Sequence, residues 1–470
     1  MHSGLMVSVS GVRGIVGTDL TPEIVARYAA AFGTLLAGGR PALRVVLGRD
    51  ARTSGAMFAA AAQAGLQSVG AEVIDCGVVP TPTVQLAVEH HGAAGGLVIT
   101  ASHNPIEWNA LKFVGADGIF LDAGQGARLR DLVETEPLPR QGWDGLGSAS
   151  HDGEAVARHL AGVLGLPCVD GAAIRRRAFS VALDCVRGAG GVIMPALLEG
   201  LGCRVAGINL ETDGRFPRPP EPVPENLGDL GTLVRRSKAD LGIAVDPDVD
   251  RLALVDETGT PIGEDYTLAF AVRAVLGQPA RAPHAGAGPV RRPVVVCNLS
   301  TSLVVEDAAR DCGADLRRAP VGEVHVARAM IAAQAVIGGE GNGGVMLPAL
   351  HVGRDAPVAA ALVLQLLTRA GKRVSELVES TPRYAIVKAK APRGADLGVL
   401  YQALQKLSGA SLDRSDGLRL AWSEPSRWLH VRPSGTEPIV RLIAEAPTAA
   451  EAGGLIDEAT RALNAAGVPA

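Results

Sequence analysis

Asp246, Asp248 and Asp250 alternate along an extended segment behind an apolar run. Carboxylates this close repel one another unless a cation neutralises them, and oxygen-only ligands suit a hard ion such as Mg²⁺. A calcium-binding EF-hand loop competes for these letters, because Glu257 stands at its twelfth position. It fails because Arg251 takes the place that loop reserves for glycine, and because a strand pattern rather than a helix comes before it. A phosphatase with an aspartyl nucleophile carries a similar Asp pair after a strand, and a solvated acidic turn can carry it too.

Ser102 lies in Thr100-Ala-Ser-His-Asn-Pro105. A hydroxyl is a weak nucleophile toward phosphorus without a base or metal. Once phosphorylated it becomes a donor, and a nearby metal would neutralise its charge. Nothing local supplies a Ser-His-Asp arrangement, so acyl transfer is disfavoured. Ser-His-Asn-Pro also describes a plain turn, with His103 only a local hydrogen-bonding group.

Two further loops and one arginine complete the set. Arg432, Ser434, Gly435 and Thr436, in Arg432-Pro-Ser-Gly-Thr-Glu-Pro438, read as an anion nest of guanidinium, hydroxyls and backbone N–H groups, or as a tight Pro-Gly turn. Glu340 and Asn342, spaced by glycine in Gly339-Glu-Gly-Asn-Gly-Gly344, can bind vicinal hydroxyls. That loop lacks the lysine of a P-loop, which argues against ATP. Arg13, in Ser10-Gly-Val-Arg-Gly14, is placed at a sharp turn where it can meet a phosphate or stand as an ordinary surface arginine.

These loops take equivalent places in a weak internal repeat. Arg44–Asp50, Val181–Gly188 and Val294–Ser300 each read as a buried strand followed by a turn and a helix. Second strands begin near Gly70, Gly202 and Gly313. Third strands, Gly96–Thr100, Ala239–Val245 and Ala335–Gly338, run into the Ser102, Asp246 and Glu340 loops. Continuous apolar strands alternating with helices predict parallel sheets covered on both faces, with ligands at the strand carboxyl ends. The expected fold is α/β: three related α/β domains with mostly parallel mixed sheets, plus a smaller C-terminal α+β domain. The expected boundaries are 1–150, 151–252, 253–372 and 373–470. Arg281–Arg292, rich in Gly, Pro and Arg, reads as an exposed loop within the third unit.

Composition narrows the function. A net charge of −4 leaves no basic field for nucleic acid or an anionic membrane, so an anionic substrate must be held by local Arg and Lys groups. The N-terminal residues do not read as a signal peptide, and no apolar run reaches bilayer length. The longest, Ala356–Leu367, fits a buried helix. The six cysteines form no CxxC pair and read as reduced core thiols of a cytoplasmic protein.

Together, and in this order, the loops resemble the α-D-phosphohexomutase superfamily, which includes phosphoglucosamine mutases and phosphomannomutase/phosphoglucomutases. Asp213-Gly-Arg-Phe-Pro217 with Pro224-Glu-Asn-Leu227 is similar to a further family segment. The resemblance spans nearly the whole chain. It implies four domains around a central cleft, a Mg²⁺ ion on Asp246, Asp248, Asp250 and the phosphate of Ser102, and priming by a catalytic hexose 1,6-bisphosphate. Phosphorylated Ser102 would give its phosphoryl group to a hexose monophosphate, and the reoriented bisphosphate would return the other one. By the same resemblance Lys112, Arg251, Arg13 and His103 assist the transfer. Gly339, Glu340 and Asn342 hold the sugar, while Arg432, Ser434, Gly435, Thr436 and Arg441 hold the non-reacting phosphate. Glu340 and Asn342 should read hydroxyls remote from C2, so the loop indicates a hexose, and resemblance alone leans to glucosamine phosphate. A sugar-phosphate phosphatase using Asp246 and a non-catalytic sugar-phosphate sensor are the alternatives. The oligomeric state, monomer or homo-oligomer, stays open. In one departure from the family, many bacterial members carry His where this chain has Gly344. His351, beside Gly353-Arg-Asp355, is a candidate substitute.

Overall fold

The computed structural model describes residues 4–8, 11–38, 43–134, 137–277, 292–392, 397–407, 409–434 and 439–465, and four sheets follow one another along it. In the first, Arg44–Arg49 lies between parallel Glu72–Val78 and Gly95–Ile99, and Ala149–His151 extends it past Glu72–Val78. Beyond Gly95–Ile99 the chain returns antiparallel as Trp108–Gly115, followed by Gly11–Ile15 and Met6–Ser8. The second sheet repeats the plan: Ser180–Asp184 lies between parallel Arg204–Ile208 and Leu241–Val245, with Leu252–Val255 returning antiparallel. So does the third, with Val294–Asn298 between Asp315–Ala319 and Ile337–Glu340, and Gly344–Met346 returning. Gly95–Ile99, Leu241–Val245 and Val294–Asn298 are buried at every residue, as strands covered on both faces must be.

Each of the Ser102, Asp246 and Glu340 loops is the turn in which a third strand reverses into its antiparallel partner. The pairs closing those turns are Ile99 with Leu111, Val245 with Leu252, and Glu340 with Gly344. Two expected boundaries fall inside sheets. Ala149–His151 completes the first sheet beyond residue 150, and Leu252–Val255 belongs to the second sheet beyond residue 252. Edge strands of three or four residues are too short to announce their partner in an alternation pattern.

The fourth sheet is antiparallel throughout, in the order Ala385–Pro392, Ile439–Ala446, Ser426–Pro433, Leu418–Ser423 and Ser411–Asp413. Helices Leu397–Leu404 and Ala449–Ala465 pack with it. Its apolar core is its own, whereas the second and third units share one continuous core. Helix Ala356–Ala370 runs through that shared core, buried at every position from Ala356 to Leu367. Asp355 caps it by accepting from the Val358 N–H at 2.9 Å, and Pro357 sits in the first turn, where a missing N–H costs nothing.

The fourth unit meets the third through polar contacts. Glu445 accepts from Ser302 Oγ at 2.5 Å, the Leu303 N–H at 2.8 Å and Trp428 Nε1 at 2.6 Å. Asp416 accepts from the Val321 N–H at 3.1 Å. A unit with its own core and a polar seam can move as a body. All six cysteines are free, and no helix among the described residues is long and apolar enough to cross a membrane.

Candidate active site

Ser102 is 6% exposed and takes a left-handed backbone, φ 49°. Its Oγ donates to Asp246 Oδ2 at 3.0 Å and lies 3.3 Å from His103 Nδ1. The loop is built around Arg52, a buried arginine from the end of the neighbouring strand. Arg52 Nη2 donates to the carbonyls of Ser102 at 2.7 Å and Asn104 at 2.6 Å, and Nη1 to those of Pro105 at 2.7 Å and Trp108 at 2.8 Å. Asp50 accepts from Arg52 Nε at 3.2 Å and from Thr100 Oγ1 at 2.7 Å, and Thr100 Oγ1 in turn accepts from the Ser102 N–H at 2.9 Å. Phe216, in the Asp213–Pro217 segment, lies with its ring 4.9 Å from the Arg52 guanidinium carbon.

Asp246, Asp248 and Asp250 are wholly buried, and a ligand oxygen from each lies within 4.8 Å of the others. Asp246 Oδ1 accepts from the N–H groups of Asp250 and Arg251, both at 3.1 Å, which folds the loop back on itself over Val249 at φ 62°. Asp248 Oδ2 accepts from Lys112 Nζ and Thr81 Oγ1, both at 2.6 Å. Burial, with Asp250 and Asp248 beside it, pushes Asp246 well above the usual carboxylate range. Burial opposes ionisation of Asp248 as well, but Lys112, with Thr81 and Asp246, outweighs it and holds Asp248 low. Lys112 stays above its ordinary range because Asp248 and Asp250 overcome its own burial.

Asp248 Oδ1 and Asp250 Oδ1 are buried without a hydrogen-bond partner. Orphaned carboxylate oxygens in an all-oxygen cluster fit a hard divalent cation, which would supply what the protein leaves unmade. Asp248→Asn is accordingly expected to weaken Mn²⁺ binding at least about tenfold, read by EPR titration of the purified protein. An unchanged titration would remove Asp248 from the ligand set.

Around the third loop, Glu340 is buried and kept ionised. Burial would raise its pKa, yet Arg354, the bonds from Asn298 and Gly322, and Arg251 together outweigh burial and lower it. Its Oε1 accepts from Asn298 Nδ2 at 2.9 Å and the Gly322 N–H at 3.0 Å. Asn342 Oδ1 accepts from the Gly344 N–H at 3.2 Å. Gly339, at φ 155°, would bring a Cβ within 2.1 Å of the Gly344 carbonyl oxygen, so this reversal admits only glycine. His351 does not turn toward Gly344. Its Nε2 donates to Asp355 Oδ2 at 2.9 Å, an oxygen shared with His159 Nε2 at 2.8 Å. The space beside Gly344 belongs to Arg354.

A cleft of 1010 Å³ opens beside these loops, with walls from all four units. Arg13, His103 and Asn104 come from the first, Glu221 from the second, Tyr266 from the third. Arg13 stands inside strand Gly11–Ile15 rather than at a turn, and its Nη1 donates to Asn104 Oδ1 at 3.1 Å. Arg251 Nη1 reaches Glu221 Oε1 at 3.1 Å. His103 is held well below the usual imidazole range by desolvation and then by Arg251. The fourth unit contributes Lys388, Lys390 and Arg441, with Lys390 and Arg441 opposite each other across paired strands. Arg432 pairs with Arg441 across the next strand, and its Nε donates to Asp416 Oδ2 at 2.7 Å. Ser434 is buried and its N–H donates to the Ile439 carbonyl at 2.8 Å. Gly435 and Thr436 lie outside the described residues, as do Ser10 and residues 278–291.

Sequence reasoning passed over Arg52, Thr81, Glu221, Arg354, Lys388 and Lys390. The repeat held a usable signal for the first. Asp50, Asp184 and Asn298 end equivalent strands, and each accepts through Oδ1 from the N–H two residues on, at 2.9, 2.8 and 2.9 Å. Each then orients a partner: Arg52, Arg218 and Glu340. Lys388 and Lys390 are two apart on one strand, hence on one face.

Known proteins share this architecture throughout. Family models for phosphoglucomutase/phosphomannomutase match in order: α/β/α domain I over residues 5–139, domain II over 157–259, domain III over 264–384, and the C-terminal domain over 386–462. The chain is 37% identical over 448 residues to a phosphoglucomutase/phosphomannomutase of Thermococcus kodakarensis, covering 94% of this chain and 95% of the relative. It is 37% identical over 460 residues to a "probable phosphoglucosamine mutase" of Methanopyrus kandleri, covering 97% of each. A phosphoglucomutase/phosphomannomutase family protein of Burkholderia thailandensis, solved by crystallography, has a TM-score of 0.84 at 25% identity, covering 98% of this chain and 97% of that one. The family uses Mg²⁺ and a phosphoserine. With four matched domains in order and relatives of this similarity, the chain belongs to the phosphoglucomutase/phosphomannomutase family of the α-D-phosphohexomutase superfamily and is a phosphohexomutase.

Proposed function

We propose that this chain interconverts glucosamine 6-phosphate and glucosamine 1-phosphate through a phosphorylated Ser102. The observation that carries the phosphoserine route is the contact of Ser102 Oγ with Asp246 Oδ2 at 3.0 Å, which puts the hydroxyl against the carboxylate cluster. Asp246, Asp248 and Asp250, with the phosphorylated Ser102, would hold Mg²⁺. When bound there, the ion offsets the charge on the phosphoserine and makes its phosphorus accessible to a hydroxyl.

In the first transfer the bond from a sugar hydroxyl to phosphorus forms as the Ser102 Oγ–P bond breaks, and the proton of that hydroxyl passes through His103 to Ser102 Oγ. In the second, the Ser102 Oγ–P bond forms as the bond from the other phosphate to its sugar oxygen breaks, and the Ser102 proton passes through His103, 3.3 Å away, to that departing oxygen. Lys112 and Arg251 supply fixed positive charge beside the transfer. Glu340 and Asn342 take the sugar hydroxyls. The non-reacting phosphate rests against Arg432, Arg441 and the 432–438 loop, with Lys388 and Lys390 on the same wall. Because the fourth unit has a separate core, it can close on either orientation of the ligand and keep water from the phosphoserine.

The glucosamine assignment is supported by the name the Methanopyrus relative carries. A coupled assay with the 1- and 6-phosphates of glucosamine, glucose and mannose, with Mg²⁺ and catalytic hexose 1,6-bisphosphate, tests it. Glucosamine phosphate should be preferred by at least about tenfold in kcat/KM, roughly 1.4 kcal/mol. Comparable turnover of the glucose and mannose phosphates overturns that assignment and leaves the mutase.

A further inference from the structure

Arg354 lies outside the three loops, yet its guanidinium joins two of them. Nη2 donates to Asp250 Oδ2 of the metal loop at 2.6 Å, and Nη1 to Glu340 Oε2 of the sugar loop at 2.8 Å. Nε donates to Glu323 Oε2 at 3.0 Å, and the Arg354 N–H reaches Glu323 Oε1 at 3.2 Å. Glu323 opens helix Glu323–Ala333 and also accepts from Gln85 Nε2 of the first unit at 3.4 Å. Arg354 is 7% exposed, so all three of these bonds are made away from bulk water. The planar fork spreads its donors over three nitrogens in fixed directions and so reaches three separated carboxylates at once, whereas the three donors of an ammonium diverge from a single nitrogen.

The pattern of occupied oxygens gives this contact a consequence. On Asp250, Arg354 and Lys112 both take Oδ2, at 2.6 and 3.4 Å, and Oδ1 is left without a hydrogen-bond partner, with Arg251 Nε 3.8 Å from it. Asp248 shows the same division, with Lys112 and Thr81 on Oδ2 and Oδ1 unpartnered. Arg354 thus decides which Asp250 oxygen is free for an ion. Its stem also explains Gly344: a Cβ there would lie 2.3 Å from Arg354 Cδ and 2.9 Å from Cγ. A side chain at 344 and this placement of Arg354 exclude each other.

We propose that Arg354 is a positioning residue that turns Asp250 Oδ1 toward the metal and fastens the metal loop to the sugar loop, in the space a side chain at position 344 would otherwise take. The proposal rests on the reading of Asp246–Asp250 as the metal loop and is independent of which hexose is used. Partners behind metal ligands typically change affinity or activity by about 10–100-fold when altered.

Arg354→Lys keeps the charge and loses the fork. It is expected to weaken Mn²⁺ binding about tenfold, read by EPR without any sugar phosphate. It should also lower kcat by about 10–100-fold while KM for the sugar phosphate stays within roughly threefold, since the phosphate anchors are untouched. Gly344→Ala leaves every charge in place but displaces the Arg354 stem, and it should move both readouts in the same direction. If Arg354→Lys fails to fold, Gly344→Ala carries the test alone. Mn²⁺ affinity and kcat within about twofold of the parent in Gly344→Ala, or in a folded Arg354→Lys, overturn the proposal. So does a loss confined to KM. Asp248→Asn titrated in parallel separates the two readings: if it too leaves Mn²⁺ binding unchanged, the metal loop itself has been misassigned.

Discussion

Replacing Ser102 with alanine is expected to lower mutase turnover by on the order of 10⁴-fold or more, about 5.5 kcal/mol of barrier. The substitution removes the phosphate carrier and little else. The Arg52 bonds to the loop run to backbone carbonyls, which alanine retains, and Lys388, Lys390 and Arg441, the proposed phosphate wall, lie in another unit. Sugar-phosphate affinity, measured by calorimetry, should therefore stay within about threefold of the parent. Label from a hexose bisphosphate, which should appear on the parent protein, should not appear on the variant. A fully active Ser102→Ala enzyme refutes the phosphoserine route. A phosphatase working through Asp246 predicts that outcome, with release of inorganic phosphate.

Arg52→Met should have the largest effect on stability among the site residues. It leaves Asp50 buried without its cation and strips four loop carbonyls of their donor. Removing one partner of a buried ion pair costs about 3–5 kcal/mol. For a unit of this size that corresponds to a drop of roughly 10 °C in its unfolding transition. Turnover should fall with it, because Ser102 and Asn104 lose the anchor that fixes their carbonyls. Mass spectrometry should then find less phosphorylated Ser102 in the purified variant. Unchanged melting and turnover in Arg52→Met would mean that the loop is shaped by its own sequence.

The sequence makes the loops and their order legible because each is a local string placed after a local apolar run. Buried strands such as Gly95–Ile99 announce themselves by continuous hydrophobicity, and helix Ala356–Ala370 does the same. What holds the loops was harder to read. Arg52 and Arg354 look like surface residues in any window, since nothing nearby in sequence shows that carbonyls 50 residues on, or carboxylates up to 104 residues back, will enclose them. Arg354 stands close to His351 in sequence, yet the guanidinium side chain and not the imidazole fills the space beside Gly344. Leu418–Ser423 and Ser411–Asp413 escaped for another reason: the first is buried only over its first three residues and the second is three residues long and mostly exposed, so no long apolar run marks either. The antiparallel return Leu252–Val255 is only four residues long, so no alternation pattern marks it as part of the second sheet.

Ser102 and Val249 both hold left-handed backbone without being glycine. That conformation costs an L-residue about 1–2 kcal/mol. For Val249 the burial of an isopropyl group in the shared core offsets some of that cost. Ser102 has no comparable return, since its side chain ends in a hydroxyl held for chemistry. The working atom therefore sits at a position where folding alone favours having no side chain. Engineering this protein for heat tolerance by melting temperature alone would drift toward glycine at 102 and discard the phosphate carrier, so turnover has to be part of the selection.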